Sequence, residues 1–214
     1  MKMYKRVIFI VLVFALTILP VSLTGCDDDT YQHDSTAAPH PYISPGEIGS
    51  IYSAVIRQLV TIDNTFEENK YFPRLFIIRN PDDRAVNPRP VSSPSTSITP
   101  PFTVIPQAEQ VEIMESLKDL RSDIIWIDKF RDADFEYYTP SGYTPTGSEN
   151  LMPQSIKGGG AVLTLGSIFI QSDESVQANG SIWIGNMGAS GMAYTLEKQD
   201  EVWKIIGTTM LWIS

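Results

Sequence analysis

The side chains that most often carry catalysis are confined to the N-terminal part of this 214-residue chain. Its two histidines are His33 and His40, and its single cysteine is Cys26. The residues that follow therefore offer no imidazole for general-base work and no thiol for nucleophilic attack. An enzyme would have to use carboxylates, tyrosines, lysines or hydroxyl groups. The carboxylates to examine for such a role are Asp63, Asp123 and Asp128.

The densest acidic group contains Asp132, Asp134 and Glu136. Their alternation resembles the opening of a calcium-binding loop, and carboxylate oxygens suit a hard cation. However, the position of the loop's required glycine is occupied by Tyr137, and that of its final bidentate acid by Tyr143. We therefore predict neither a metal nor a cofactor, and expect this segment to be a solvated strand end.

Aromatic and methionine side chains are the best candidates for a binding site. The set comprises Trp126, Trp183, Met187, Met192, Tyr194, Trp203 and Trp212, of which the first five are the predicted ligand-binding residues. Trp183 and Met187 share one face of a predicted strand because their separation is even, and so do Met192 and Tyr194. If the register brings these faces together, they could bind a small apolar ligand. The alternative is that these side chains fill the core between sheet and helices.

The N-terminal 25 residues have the pattern of an export signal. Lys2, Lys5 and Arg6 precede a predominantly apolar stretch over residues 7–19, which ends at Pro20. This stretch is shorter than the roughly 20 residues that a permanent membrane-spanning helix needs. We therefore interpret it as a signal peptide.

The tetrapeptide Leu23-Thr24-Gly25-Cys26 resembles the lipobox of bacterial lipoproteins. The resemblance implies that a diacylglycerol is attached to the Cys26 thiol and that residues 1–25 are removed. A lone cysteine has no disulfide partner within its chain, which agrees with this use. The alternative is an ordinary secretory signal followed by a free thiol.

Lipidation would place the mature protein at a cell membrane, on the extracytoplasmic face. Residues 26–43 would form a flexible tether, because they lack periodicity and contain two prolines. Asp27 resembles the residue that retains lipoproteins in the inner membrane of some Gram-negative bacteria. In such an organism we expect the protein on the periplasmic side of the inner membrane.

The charge of the chain argues against nucleic acid as a partner. The full chain has 16 basic and 25 acidic residues. Removal of residues 1–25 takes away three cations and no acid, which leaves about 12 net negative charges. Such a charge repels phosphate backbones and anionic headgroups. Attachment to the membrane would therefore depend on the lipid on Cys26.

The predicted folded part begins with a helix over residues 45–62. Ser44 is a suitable N-cap, Pro45 suits the first helical position, and Glu47 can bond back to the cap. Apolar residues then recur at helical spacing from Ile48 to Val60. A second helix is predicted over residues 106–121. Its predicted inner stripe consists of Val111, Met114, Leu117 and Leu120.

The remaining pattern predicts an α+β fold in one domain over residues 44–214. Strands are predicted over residues 74–79, 123–128, 161–170, 180–187, 192–198 and 202–213. A Pro/Ser-rich loop is predicted over 80–105 and a Gly/Pro-rich loop over 137–160. We expect two helices packed on a curved antiparallel sheet of about five to six strands.

Residues 191–207, GMAYTLEKQDEVWKIIG, resemble the closing hairpin of the nuclear-transport-factor-2-like superfamily. The resemblance implies a cone-shaped α+β fold, and many catalytic members use a His/Asp or Tyr/Asp pair inside the cone. Without a histidine in the domain, the His version is excluded here. Two departures from the pattern are Glu201, where the family usually has glycine, and a strand directly after the first helix.

These observations predict a binding or interaction module of the cell envelope in preference to an enzyme. Its partner would be a small apolar ligand or another envelope protein. One alternative is a small carboxylate-based hydrolase or isomerase. The other is an accessory subunit of an envelope complex.

We predict that the Cys26→Ser variant is released from the membrane, because it lacks the thiol that carries the lipid. After expression in a bacterial host, detergent phase partitioning and intact mass report the outcome. The wild type and a Ser35→Ala control should enter the detergent phase and carry acyl chains. A wild-type protein in the aqueous phase with an unmodified thiol would contradict the lipoprotein interpretation.

Overall fold

The computed structural model describes residues 43–64, 71–86, 104–138, 151–171, 173–186 and 188–214. The predicted signal peptide, almost all of the predicted tether and Met187 lie outside these residues. The described elements are three helices, two 3₁₀ turns and eight strands. The helices are α1 (Pro45–Thr61), α2 (Asp83–Val86) and α3 (Gln107–Ser116), and the 3₁₀ turns are Lys118–Leu120 and Phe130–Asp132. The strands are β1 (Arg74–Ile78), β2 (Asp123–Ile127), β3 (Phe135–Tyr138), β4 (Met152–Ile156), β5 (Ala161–Ile170), β6 (Val176–Gly185), β7 (Gly188–Gln199) and β8 (Val202–Ile213).

Six strands form one mixed sheet in the order β2-β1-β5-β6-β7-β8. The four strands from β5 to β8 are antiparallel, as the sequence predicts. The expectation of a wholly antiparallel sheet is wrong, because β1 is parallel to both β2 and β5. The chain between these strands contains helices, and such long crossovers permit parallel pairing. The coarse prediction of an α+β fold is confirmed.

Helix α1 begins and packs as the sequence predicts. The Glu47 carboxylate accepts a hydrogen bond from the Ser44 N–H at 2.9 Å, which caps the first turn. The apolar side of the helix is fully buried against the sheet, through Ile51, Tyr52, Val55, Ile56 and Leu59. Among the described residues, no helix is long and apolar enough to cross a membrane.

The close contact between α1 and β6 depends on a residue without a side chain. An added Cβ at Gly180 would lie 2.7 Å from a methyl carbon of Leu59 and 3.0 Å from one of Val55. Both distances are too short for ordinary packing. Gly180 therefore lets the helix lie directly on the sheet.

Strand β5 contains a bulge that forms hydrogen bonds with elements on both faces of the sheet. Leu165 pairs with Gly180 and Ile168 pairs with Ala178, so β5 has one residue more than β6 over this interval. The bulged residue Gly166 accepts a hydrogen bond from the Tyr52 hydroxyl of α1 at 2.9 Å. Burial, and then the charge on Asp83, raise the pKa of Tyr52. Its hydroxyl therefore stays protonated and able to donate.

On the opposite face, the bulge holds the segment that contains α2. The Ser167 N–H and hydroxyl donate to the two carboxylate oxygens of Asp83 at 2.7 and 2.6 Å. The Asp82 N–H donates to the Leu165 carbonyl at 2.9 Å. A four-residue helix has little stability of its own. These bonds therefore fix α2 on the sheet.

The predicted inner stripe of α3 is partly wrong. Val111 and Met114 are exposed, whereas Leu117 and Ile113 are buried. The third buried residue is Glu109, whose carboxylate accepts a hydrogen bond from the Gly49 N–H of α1 at 2.7 Å. This polar contact rotates α3 away from the orientation that its apolar residues alone would favour.

Two regions were predicted as loop or turn and contain strand instead. Strands β3 and β4 form a separate antiparallel pair, and β4 lies inside the predicted loop 137–160. The predicted turn at residues 188–191 is the start of β7, and these small residues are buried. Their small size permits close packing against the sheet's second face, which the sequence pattern alone does not show.

We predict that Glu109→Gln changes the pH dependence of stability. Burial raises the pKa of Glu109 above 4.5, and Glu112 adds to the rise against the opposing bond from Gly49. The stabilisation from the protonated form is complete below pH 4.5 and is lost as the pH rises through the folded-state pKa. The variant, which is neutral at every pH, should unfold at a higher temperature than wild type at pH 7.

The difference in unfolding temperature between Glu109→Gln and wild type should disappear towards pH 4. At that pH wild-type Glu109 is protonated in both the folded and the unfolded protein. Thermal unfolding followed by circular dichroism between pH 4 and 7 measures it. The matched control is Glu115→Gln, which changes an exposed carboxylate on the same helix. A Glu109→Gln protein that is less stable than wild type at pH 7 would show that the charged form is favoured.

Candidate functional site

A cleft of about 520 Å³ lies on the face of the sheet opposite α1. Strands β5 to β8 form its floor, and the segments 78–85 and 128–130 form its walls. Most of its lining is apolar or aromatic, with a few polar groups that converge on the interior. The lining residues are Ile78, Asn80, Pro81, Asp82, Ala85, Asp128, Lys129, Phe130, Val162, Thr164, Ser181, Ile182, Trp183, Ala189 and Trp212.

Two cross-strand rows of residues form the floor of the cleft. The first row is Ile78, Thr164, Ser181, Gly191 and Trp212. The second row is Phe76, Val162, Trp183 and Ala189. Residues in one row lie side by side on neighbouring strands and face the same way. The sheet register therefore decides which side chains meet in the cleft.

Trp212 forms one end of the cleft floor and lies flat over β7. Its indole N–H donates to the Val86 carbonyl of α2 at 2.5 Å. An added Cβ at Gly191 would overlap the Trp212 indole nitrogen and lie 2.6 Å from the Val86 carbonyl oxygen. Gly191 therefore makes room for the ring, and the ring in turn ties β8 to α2.

Trp183 forms the other aromatic boundary and is held by phenylalanines. The rings of Phe130 and Phe135 each lie 5.2 Å from the Trp183 ring, at angles close to perpendicular. Edge-to-face packing of this kind fixes ring orientation. Between Trp183 and Trp212 the floor has small residues, including Ser181 and Ala189. The strand spacing and rise separate the Cα atoms of the two tryptophans by about 12 Å.

Two hydroxyl-bearing residues on the floor lack hydrogen-bond partners. Thr164 and Ser181 are neighbours in the β5–β6 register and are 8% and 7% exposed. Within the described residues, neither side chain takes part in a hydrogen bond. In the cleft wall, Oδ1 of Asn80 is also buried without a partner, while its Nδ2 donates to the Asp128 carbonyl at 3.4 Å. The Thr164 and Ser181 hydroxyls are therefore available to a ligand, whereas Oδ1 of Asn80 is closed off from the cleft.

The charged residues of the cleft lie on its rim. The Asp128 side chain is 61% exposed and forms an ion pair with Arg79 at 3.0 Å. Asp82 accepts hydrogen bonds from the N–H groups of Arg84 and Ala85, so it caps α2. Lys129 is exposed on the same rim. No charged side chain therefore reaches the floor.

The predicted ligand-binding residues do not form one site. Trp183 lines the cleft, whereas Trp126, Met192 and Tyr194 pack against the core on the α1 face. Met187 lies outside the described residues. The expectation that the faces of Trp183 and Met192 adjoin is wrong, because Met192 pairs with Gly180 and Trp183 pairs with Ala189. The odd separation of Gly180 from Trp183 places these positions on opposite faces.

Of the three candidate carboxylates, only Asp128 lines the cleft. Asp63 lies beside the Tyr194 hydroxyl, and burial followed by the Asp63 charge raises the pKa of Tyr194. Oδ2 of Asp63 and the Tyr194 hydroxyl are both buried, but neither forms a hydrogen bond. This Tyr/Asp pair does not line the cleft. Asp123 is exposed at the start of β2, and Asp128 is exposed on the rim.

The acidic group after β2 is occupied by protein contacts. Asp132 accepts a hydrogen bond from the Lys129 N–H, and Glu136 accepts one from the Ser155 hydroxyl. Asp134 forms ion pairs with Arg74 and Lys157. In the part of the chain that the structure describes, no group of three or more His, Cys, Asp or Glu residues is placed to hold a metal ion.

The sequence did not single out Thr164, Ser181 or Asn80. Each is an ordinary polar residue within or beside a strand, and such residues usually face solvent. A clue for Thr164 was its position in the otherwise apolar run from Ala161 to Leu165. When both faces of a strand are buried, a polar side chain on it needs a hydrogen-bond partner or access to solvent.

Comparison of this chain with protein-family models, curated proteins and solved structures gave no match. The chemistry of the cleft is therefore interpreted from its own residues.

We predict that Gly191→Ala destabilises the protein by about 1–3 kcal/mol, because the new methyl group must displace Trp212 or the Val86 carbonyl. Denaturant unfolding measures the change, and tryptophan emission reports the altered surroundings of Trp212. The matched control is Gly207→Ala on β8, whose Cβ would meet Thr195 at 3.6 Å, an ordinary contact. If both variants were equally stable, Gly191 would not be required for the Trp212 arrangement.

Proposed function

We propose that this protein is a lipid-anchored binding protein of the cell envelope that holds a small ligand in the sheet-face cleft. The observation that carries the proposal is the cleft itself. Its volume of about 520 Å³, its aromatic boundaries and its few converging polar groups are typical of small-molecule sites.

The anchoring part of the proposal is supported by the sequence. The lipobox-like tetrapeptide ends at Cys26, and the capped start of α1 is at Ser44. We propose that the lipid on Cys26 attaches the domain that begins at Ser44 to the membrane.

Binding is favoured over catalysis by the residues that surround the cleft. The described part of the chain contains neither histidine nor cysteine. Asp128, the one candidate carboxylate at the cleft, is exposed and ion-paired with Arg79. A group poised for proton transfer is usually buried or held by a neighbour that alters its proton affinity. The hydrolase or isomerase alternative therefore has no specific support here.

The alternative of an accessory subunit has one supporting observation. Strand β8 is the last strand of the sheet, so its outer edge has no partner within the described sheet. Exposed apolar side chains occur along it at Val202, Ile206, Met210 and Ile213. An unpaired edge with apolar side chains can pair with another chain.

We propose the nuclear-transport-factor-2-like cone as the fold of this domain, and we draw no activity from it. Its support is the long helix α1 packed on the sheet and the closing hairpin of β7 and β8. The parallel pairs of β1 with β2 and β5 differ from a simple antiparallel meander.

We predict that Ala189→Leu blocks ligand binding, because the larger side chain fills the floor between the two tryptophans. The neutral dye N-phenyl-1-naphthylamine is a suitable probe, since its fluorescence rises in apolar sites. The variant should bind the dye at least tenfold more weakly than the wild type. The matched control is Ala193→Leu, on the same face of β7 but outside the cleft lining.

Thermal unfolding of both variants shows whether they fold. If the folded Ala189→Leu protein bound the dye as tightly as Ala193→Leu and wild type, the cleft would not be the binding site. If the wild type bound no dye and no ligand in a general small-molecule screen, the proposed function would be wrong.

A further inference from the structure

We propose that the natural ligand of the cleft is a neutral saccharide of one or two rings, bound by hydrogen bonds to Thr164 and Ser181. This inference rests on the proposed function and deepens it by naming the ligand class. It departs from the apolar ligand expected from the aromatic residues alone.

The first argument is the unmet hydrogen bonding of the floor. Thr164 and Ser181 are more than nine-tenths buried, line the cleft and form no side-chain hydrogen bond. Neither hydroxyl is among the fully buried polar atoms without a partner, so both are open to the cleft. Water can solvate them in the empty cleft, and a ligand that displaces this water loses affinity unless it replaces the hydrogen bonds. A polar ligand can replace these hydrogen bonds, whereas an apolar ligand cannot.

The second argument is the kind of polar group. A hydroxyl donates one hydrogen bond and accepts two, so it pairs best with groups that both donate and accept. Sugar hydroxyls have this dual character. Thr164 and Ser181 are cross-strand neighbours, which places their Cβ atoms about 5 Å apart. The ligand therefore has several hydroxyl groups along one edge.

The third argument is the pair of indole rings. A pyranose ring has apolar C–H faces as well as a polar edge, and aromatic rings provide matching apolar surface. Trp183 is held by Phe130 and Phe135, and Trp212 is held by Val86. Both rings are therefore fixed before a ligand arrives. Fixed aromatic rings at the two ends of a floor with hydroxyl groups between them suit a sugar ring, which has apolar faces and a polar edge.

The fourth argument is charge. Among the described residues the floor has no charged side chain to pair with an anion, and the exposed Lys129 lies on the rim together with Asp82 and the ion-paired Asp128. The chain as a whole has a formal charge of −9, which repels anions. Phosphorylated or acidic sugars are therefore less suitable than neutral ones.

The test uses the full chain with Cys26→Ser, purified without acyl chains. The probes are glucose, maltose, N-acetylglucosamine and its β-1,4-linked dimer, titrated while tryptophan fluorescence and heat release are followed. At least one should bind and change the tryptophan emission. Glucose 6-phosphate, the anionic counterpart of glucose, should bind more weakly than glucose.

Two variants that each remove one floor hydroxyl, Thr164→Val and Ser181→Ala, test the contribution of that hydroxyl to saccharide binding. Each should weaken saccharide binding about three- to tenfold, which corresponds to one lost hydrogen bond. Neither should lower the unfolding temperature of the free protein, because each removes a group that has no protein partner.

The outcomes separate this inference from the proposed function. In one outcome the wild type binds the dye, Ala189→Leu abolishes this binding, and none of the saccharides binds. The proposed ligand class is then wrong, but the cleft remains a binding site. Saccharide binding that is unchanged in both hydroxyl variants would also overturn the inference. If neither dye nor saccharide binds, the proposed function itself fails.

Discussion

The structure depends on how the bulge in β5 is held from both faces of the sheet. Tyr52 of α1 bonds the Gly166 carbonyl on one face, and Asp83 bonds Ser167 on the other. The extra residue also keeps Ile168 on the α1 face, where Leu163 and Leu165 already pack. One local irregularity therefore positions the core helix and the wall of the cleft together.

The two faces of the sheet are used differently. On the α1 face, large apolar side chains fill the space between helix and sheet, and Tyr194 is fully buried among them. On the other face, the cover consists of short pieces: α2, a 3₁₀ turn and the β3–β4 pair. Among the described residues, these short elements leave part of the sheet uncovered. That part is the cleft, and the side chains that anchor the short elements lie at its boundary.

Small residues determine where a helix or a side chain can pack closely against the sheet. Gly180 lets α1 approach β6, and Gly191 lets the Trp212 indole lie on β7. Each glycine faces a different side of the sheet, in agreement with the alternation of strand residues. On the cleft face, Thr164 and Ser181 are also small, and their hydroxyl groups line the cleft without a hydrogen-bond partner among the described residues.

The sequence by itself determined helix α1, the four C-terminal antiparallel strands and the α+β class, because capping residues and apolar periodicity act locally. The prediction of lipidation at Cys26 also comes from neighbouring residues alone, because Leu23-Thr24-Gly25-Cys26 resembles a lipobox. The tertiary structure decided the rest: the parallel pairing of β1, the orientation of α3 set by Glu109, and the separation of Trp183 from Met192. These features depend on register and on contacts between distant residues. A strand's period of two shows which residues share a face, but only pairing with other strands shows which face is covered and which stays open.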